Sequence, residues 1–213
     1  MKRYGQQCSI ARALDVVGER WSLLVVRELT LGPRRHRDLA AGLPGIPSNL
    51  LAARLKELQA AGVIVRRTLP PPASVPVYEL TESGRALGGV LGELRTWGLA
   101  HGPESAEGDT LQTAWVMAAA VDRVTTLPEG LSGELRVDEE FYSFAAHDGV
   151  LGVRSEPAHA PDVVFRLEPD VLYDLATGDV TAAAALRQAT VDGDAAVARH
   201  VVKSLAGMLS PSP

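Results

Sequence analysis

Apolar positions recur every three to four residues over most of the first hundred positions, and that rhythm predicts helices. Ile10, Leu14 and Val17 line one side of a short helix that Gly18 ends. The run RWSLLVVRELTLG, 20–32, is apolar on most sides and predicts a buried central helix. A third short helix covers about 36–42. The turn PGIP follows, and Ser48 is placed to cap the next helix, its hydroxyl accepting from a first-turn amide. Leu51, Leu55 and Leu58 form the inward stripe of that helix, and Gly62 suits the position just beyond its end. VIVRRT (63–68) and VPVYEL (75–80) read as two strands joined by a stiff, extended PPPAS tip. Thr81 is placed to cap a long helix over about 82–100, with Leu87, Val90, Leu91, Leu94 and Trp97 on one face.

The polar stretch HGPESAEGD, 101–109, marks a boundary between domains at 1–103 and 109–209. Beyond it, Asp109 is placed to cap a helix through about 125, with Leu111, Trp115 and Ala118 on one face. GELRV (133–137), FYSFAAH (141–147), VLGVR (150–154) and DVVFRL (162–167) read as strands of an antiparallel sheet. Asp148-Gly149 is a two-residue hairpin signal. Short helices over 168–178 and 181–188 follow, then a brief strand at ATVDGD. Asp194 caps a last helix with Val197, Val201, Leu205 and Met208 on one side. The tail 210–213 reads as disordered. Helix, sheet and terminal helices predict an α+β sandwich.

The net charge of -5 hides a division. Residues 1–103 carry 14 Lys and Arg against 8 Asp and Glu, a net of +6; residues 104–213 carry 7 against 18, a net of -11. A basic first half suits phosphate, and an acidic second half is repelled by it. No run approaches the roughly 18 apolar residues of a membrane span, and no partner membrane is expected. With Cys8 the single cysteine, no disulfide framework forms within one chain, and a cytoplasmic location is expected. Enzyme signatures are missing: there is no paired Cys or His-Glu-x-x-His spacing for a metal and no Gly-x-Ser-x-Gly elbow. The glycines of GGVLG lie inside a helix. His36, His101, His147, His159 and His200 are scattered. Neither an enzymatic activity nor a cofactor is expected.

Three helices followed by a hairpin is the layout of a winged helix-turn-helix. The stretches CSIARALDVVGERWSLLVVRELTLGPRRHRDL, LPGIPSNLLAARLKELQAAGVIVRR and VYELTESGRAL resemble the HxlR-type transcriptional regulators over about 6–100. The resemblance implies a homodimeric DNA-binding regulator in which the first and last helices of the domain make the dimer. Gly88, Gly89 and Gly92 in the last helix suit a close approach there, although glycine also weakens a helix by roughly 1 kcal/mol against alanine. DVVFRLEPDVLYDLATGDVTAAAALRQATVDGDAAVARHVVKSLAGML is similar to the sterol carrier protein type two-like lipid-binding domain, over about 109–209. That similarity implies a sheet and helices around an apolar tunnel.

A recognition helix at 48–61 turns its exposed residues to the major groove. Asn49 is suited to adenine, and Ser48 to a base or phosphate. Arg54 and Lys56 read as phosphate contacts or as structural ion partners. Arg34, Arg35, Arg37, Arg66 and Arg67 read as phosphate grips, or as solvated surface charge. The chain departs from the HxlR pattern twice, at Ala52-Ala53 in mid-helix and at a wing tip without a basic residue. Readout then leans on few base contacts and on DNA shape. Cys8 matches the position of a redox- or electrophile-sensing cysteine in parts of the family, and otherwise serves as a small packing residue. In the second half Trp115, Met117, Phe141, Phe144, Phe165, Leu172, Leu175, Leu205 and Met208 read from sequence alone as core for the most part, and the resemblance makes them candidates to line the tunnel. Tyr142 and Tyr173 offer polar handles to a ligand.

The combined expectation is a two-domain regulator, a repressor of a pseudo-palindromic operator in double-stranded DNA, released by an apolar small molecule bound to the second domain. The alternatives are a thiol-based regulator acting through Cys8, and a lipid carrier with a degenerate DNA module.

Overall fold

The computed structural model of the chain describes residues 3–103, 106, 108–110, 112–121, 123–124, 127–177 and 179–209, with backbone alone at 123–124 and 205–209. It divides into two compact units, 1–91 and 92–213.

The first unit runs α1 (Ser9–Val17), α2 (Ser22–Thr30), α3 (His36–Gly42), α4 (Ser48–Ala60), β1 (Ile64–Thr68), β2 (Pro76–Leu80) and α5 (Glu82–Arg85), followed by α6 (Gly88–His101), within which the division falls. Val25, Val26 and Leu29 of α2, Leu39 of α3, and Leu51, Leu55 and Leu58 of α4 are buried together with Ile64 and Leu80 of the hairpin. This is a winged helix-turn-helix. α4 ends in a Schellman motif. The Gly62 N–H bonds to the Gln59 carbonyl at 3.1 Å and the Val63 N–H to the Leu58 carbonyl at 2.9 Å, while Gly62 takes φ +73°.

Four local expectations need correction here. Ser48 is the first helical residue and not the cap, because the Pro47 carbonyl already accepts the Leu50 and Leu51 amides, both at 3.0 Å. The wing tip is a closed turn and not extended: the Ser74 N–H reaches the Pro70 carbonyl at 3.3 Å, and Ser74 takes φ +44°. Thr81 caps the short α5, its hydroxyl accepting the Gly84 amide at 3.1 Å. The chain then turns at 86–87 before α6, so 82–100 is two helices. Ile10 and Leu14 are 70% and 41% exposed, so the stripe on α1 leaves only Ala11 and Val17 buried.

The second unit continues with α7 (Thr113–Ala118), β3 (Arg123–Val124), β4 (Ser132–Val137), β5 (Glu140–His147), β6 (Val150–Arg154), β7 (Val163–Leu167), α8 (Pro169–Thr177), α9 (Ala182–Gln188), β8 (Thr190–Gly193) and α10 (Ala195–Leu209). The six strands lie in the order β3-β6-β5-β4-β7-β8. β4 and β7 run parallel, so the sheet is mixed where an antiparallel one was expected. The helix expected through about 125 stops at Ala118, and β3 occupies part of its place. Asp109 does not cap it; its carboxylate takes the Ala106 amide at 2.8 Å, and Leu111 lies outside the described residues. The Asp148-Gly149 turn forms as expected, with φ +50° and +71°. Asp194 caps α10, accepting the Ala196 and Val197 amides at 2.7 and 3.0 Å. Those amides, Val197 first, hold its carboxyl below the usual aspartate range.

One sheet face carries Leu135, Val137, Tyr142, Phe144, Ala146, Leu151, Val153, Val163, Phe165 and Leu167, all buried. The Phe144 ring lies over Gly133, where a β-carbon would stand 2.1 Å from it. The link from β6 to β7 crosses β4 on the other face. There the Ala158 N–H donates to Glu134 at 2.7 Å, and the Arg136 guanidinium meets the same carboxylate at 2.5 Å. Glu134 is 2% exposed, so these partners replace the water it loses.

Candidate nucleic-acid interface

α4 presents two unlike sides. Its leucines are buried, while Ser48, Asn49, Ala52, Lys56 and Gln59 are exposed. Pro47 helps to set this arrangement. It holds extended backbone at ψ 139° just before the helix, so α4 begins at once with Ser48 and Asn49. Backbone amides in the first turn of a helix lack intrahelical acceptors and attract anions. Gln59, one turn beyond Lys56 on the exposed side, was not singled out from sequence. Its spacing of three from Lys56 was the available signal.

The wing brings two expected phosphate grips together. Arg34 and Tyr78 exchange both backbone bonds, at 3.0 and 2.8 Å, which adds Arg34, two residues before α3, to the edge of the hairpin. Tyr78 pairs in register with Arg66 of β1. Arg34, Tyr78 and Arg66 therefore form one row across the hairpin, with their side chains on one face. Arg67 faces the opposite way and is ion-paired with Glu79. Arg37 is exposed at the start of α3, and its Nε lies 3.3 Å from Asp38. Asp38 also accepts the Arg35 amide at 3.2 Å, satisfying one first-turn donor of α3.

Arg54 is placed differently from the other expected contacts. It is 9% exposed, and its guanidinium lies 2.5 Å from Glu57 and 3.6 Å from Glu19. Of the two roles read for it in sequence, this geometry is that of the structural ion partner.

Cys8 is exposed and precedes α1, its carbonyl accepting the Arg12 amide at 2.9 Å. On α6, Val90, Leu94, Trp97 and Leu99 are exposed apolar residues.

In the second unit Met117, Phe144, Phe165, Leu172 and Leu175 are buried and Trp115 is half-buried. Phe144 and Phe165 lie 6.4 Å apart between ring centroids. Phe141 does not join them. It pairs with Arg136 on the opposite sheet face, where the guanidinium sits 5.4 Å from its ring. The side chains of Leu205 and Met208 lie outside the described residues. Tyr142 is buried with its hydroxyl on Glu140, and Tyr173 is exposed.

Among the described residues, Glu129, His147 and Asp148 bring ligand-type atoms together at the β5–β6 turn. The two ring nitrogens face different carboxylates, Nδ1 at 2.8 Å from Glu129 and Nε2 at 3.5 Å from Asp148. The hydrogen bond to Glu129, then the Asp148 charge, raise the imidazole above its ordinary 6.5. A raised pKa means that the pairing favours the fold below the unfolded value and is lost as pH rises through the folded one. An NMR titration of His147 is expected to show a midpoint above that of a free imidazole, and Glu129→Gln is expected to lower it. An unchanged midpoint in that variant would remove Glu129 as the cause.

The HxlR-like helix-turn-helix family model matches residues 16–106. The HTH-type transcriptional regulator YvaP of Bacillus subtilis is 37% identical over 86 residues, which are 40% of this chain and 80% of that protein. YodB, an HTH-type transcriptional regulator of the same organism, is 36% identical over 85 residues, 40% of this chain and 76% of its own. The solved reduced form of YodB is 33% identical and covers 45% of this chain and 95% of its own, with a TM-score of 0.41.

Proposed function

Since the chain belongs to the HxlR-like helix-turn-helix family of transcriptional regulators, we propose that it is a cytoplasmic, homodimeric repressor whose second unit senses an apolar small molecule. One observation carries the DNA part. An exposed polar side of α4, with Ser48 and Asn49 at its start, stands over a leucine core in the same unit as the Arg34–Tyr78–Arg66 row. Ser48 and Asn49 contact bases; Arg34, Arg35, Arg37, Lys56, Arg66 and Arg67 grip phosphates, Arg67 on giving up Glu79.

The reading is tested by fluorescence anisotropy, with a duplex from upstream of the protein's own gene, a scrambled control and a salt series. Asn49→Ala is expected to weaken native-duplex binding by 1–3 kcal/mol, about 5- to 150-fold, and to narrow the preference over the control. Lys56→Ala is expected to weaken both duplexes alike and to reduce the salt slope by about one. Equal, weak binding of both duplexes by the unaltered protein would sink the repressor and favour a carrier with a degenerate DNA module.

The exposed apolar residues of α1 and α6 support a dimer seam. Two recognition helices about 34 Å apart meet successive major grooves. An effector with different affinity for two dimer geometries then changes operator binding. The sterol-carrier-like reading of the second unit is supported by its α+β architecture and by the apolar side chains of Met117, Phe144, Phe165, Leu172 and Leu175. An apolar ligand that binds tightly without altering operator affinity would break this coupling.

The exposure of Cys8 just before α1 favours a second reading, thiol sensing. It predicts that Cys8→Ser abolishes any loss of DNA binding caused by an oxidant or electrophile and leaves ligand-induced release intact. An oxidant response that persists in Cys8→Ser rules the reading out.

A further inference from the structure

We infer that Arg54 is a positioning residue of the recognition helix, locking α4 to the turn between α1 and α2 through Glu19, and that it does not touch DNA. The inference rests on the reading of α4 as the recognition helix. Arg54 sits in the middle of α4 between Leu51 and Leu58, and it is buried where Lys56, two residues on, is exposed. A side chain 11% exposed does not present a guanidinium to a phosphate without leaving its site.

Its partners say what holds it. Glu57 lies on α4 itself, three residues on, its carboxylate 2.5 Å from Nη1; the contact is ionic, since Nη1 and Nε make no hydrogen bond of ordinary geometry. Glu19 lies between α1 and α2, 3.6 Å away, and is the partner that ties α4 to another element. The leucine stripe already buries α4, but apolar contacts are non-directional and tolerate sliding and rotation. An ion pair from α4 to the α1–α2 turn opposes rotation of α4 about its own axis. That rotation decides where Asn49, Ala52 and Lys56 point.

The two roles differ in three readouts. A phosphate contact releases counterions, so its loss lowers the salt slope by about one. A positioning residue leaves the slope unchanged and lowers the ratio of native to scrambled binding. Glu19 separates them further. If Arg54 gripped phosphate, Glu19 would compete for it, and Glu19→Gln would strengthen binding to both duplexes.

The experiment is an anisotropy salt series on the full chain with Arg54→Met, Arg54→Lys, Glu19→Gln and the Arg54→Met/Glu19→Gln double variant. Native and scrambled duplexes are used at a temperature where circular dichroism shows every variant folded. The expected result is a native-to-scrambled ratio lowered about 5-fold or more in Arg54→Met and Glu19→Gln, at unchanged salt slope. The double variant is no worse than the worse single, and Arg54→Lys recovers part of the ratio. A slope lower by one in Arg54→Met, or tighter binding by Glu19→Gln, overturns the inference. So does an unchanged ratio in both single variants while Asn49→Ala lowers it. Should Asn49→Ala leave the ratio unchanged as well, it is the assignment of α4 as recognition helix that fails.

Discussion

Leu55→Ala is expected to lower the unfolding free energy of the first unit by about 2–5 kcal/mol, the range for deleting three buried carbons and leaving a cavity. Leu55 is 1% exposed, with Leu51 and Leu58 beside it on α4 and Val25, Val26 and Leu29 of α2 in the same core. The cavity opens under the helix that carries Asn49 and Lys56, so DNA binding is expected to fail at a temperature where the unaltered protein still binds. Hydrogen exchange of amides in residues 1–91 reads the effect on that unit separately, which a single melting curve of a chain with two units does not. A loss under about 1 kcal/mol would contradict the packing of α4 described above.

Gly84→Ala is expected to cost about 3 kcal/mol in the same unit, at the upper end of ordinary overpacking. A β-carbon there would stand 2.1 Å from the Val63 carbonyl oxygen, which is backbone and cannot rotate aside. The Val63 carbonyl is already held, since it accepts the Thr81 amide at 3.0 Å. The Thr81 hydroxyl donates to the Gly62 carbonyl at 2.6 Å and accepts the Gly84 amide at 3.1 Å. Thr81 and Gly84 thus clamp the start of α5 to the end of α4, which gives the Leu-Thr-x-x-Gly pattern a mechanical reason. Ser83→Ala, one residue away on the exposed side, is the control and is expected to stay within about 0.5 kcal/mol. Equal melting of the two variants would refute the clash.

The parts legible in sequence were those set by short-range rules. The leucine period placed α4, the Gly62 stop and the Asp148-Gly149 turn took the conformations their residue types favour, and Asp194 capped α10. The errors have two causes, a neighbouring group that takes a cap or its side chain, and a pairing set by distant chain. Ser48 lost the cap to a proline carbonyl, and Asp109 was taken by Ala106. The parallel β4–β7 pair depends on a crossover that no periodicity records. Phe141 read as a cavity residue because aromatic type says nothing of sheet face; register with Arg136 decides it. For the DNA-facing side, residue type located the arginines but not their directions. Arg66 and Arg67 are adjacent in sequence and opposite in space, because a strand alternates.

The crossover from β6 to β7 has a consequence for the order of assembly. Ser132 and Asp162, bonded at 2.8 Å, are 30 residues apart in sequence, and the whole β4–β5–β6 meander lies between them. The pairing of β7 with β4 spans that meander and the return of the chain across it. The Glu134 carboxylate gains its Ala158 partner only with that return. The hairpin of the first unit joins Ile64 to Leu80 across a far shorter loop. Closing the longer loop costs more entropy before any contact rewards it. Pulse-labelled hydrogen exchange is expected to show the Ile64–Leu80 hairpin protected before the β4–β7 pair.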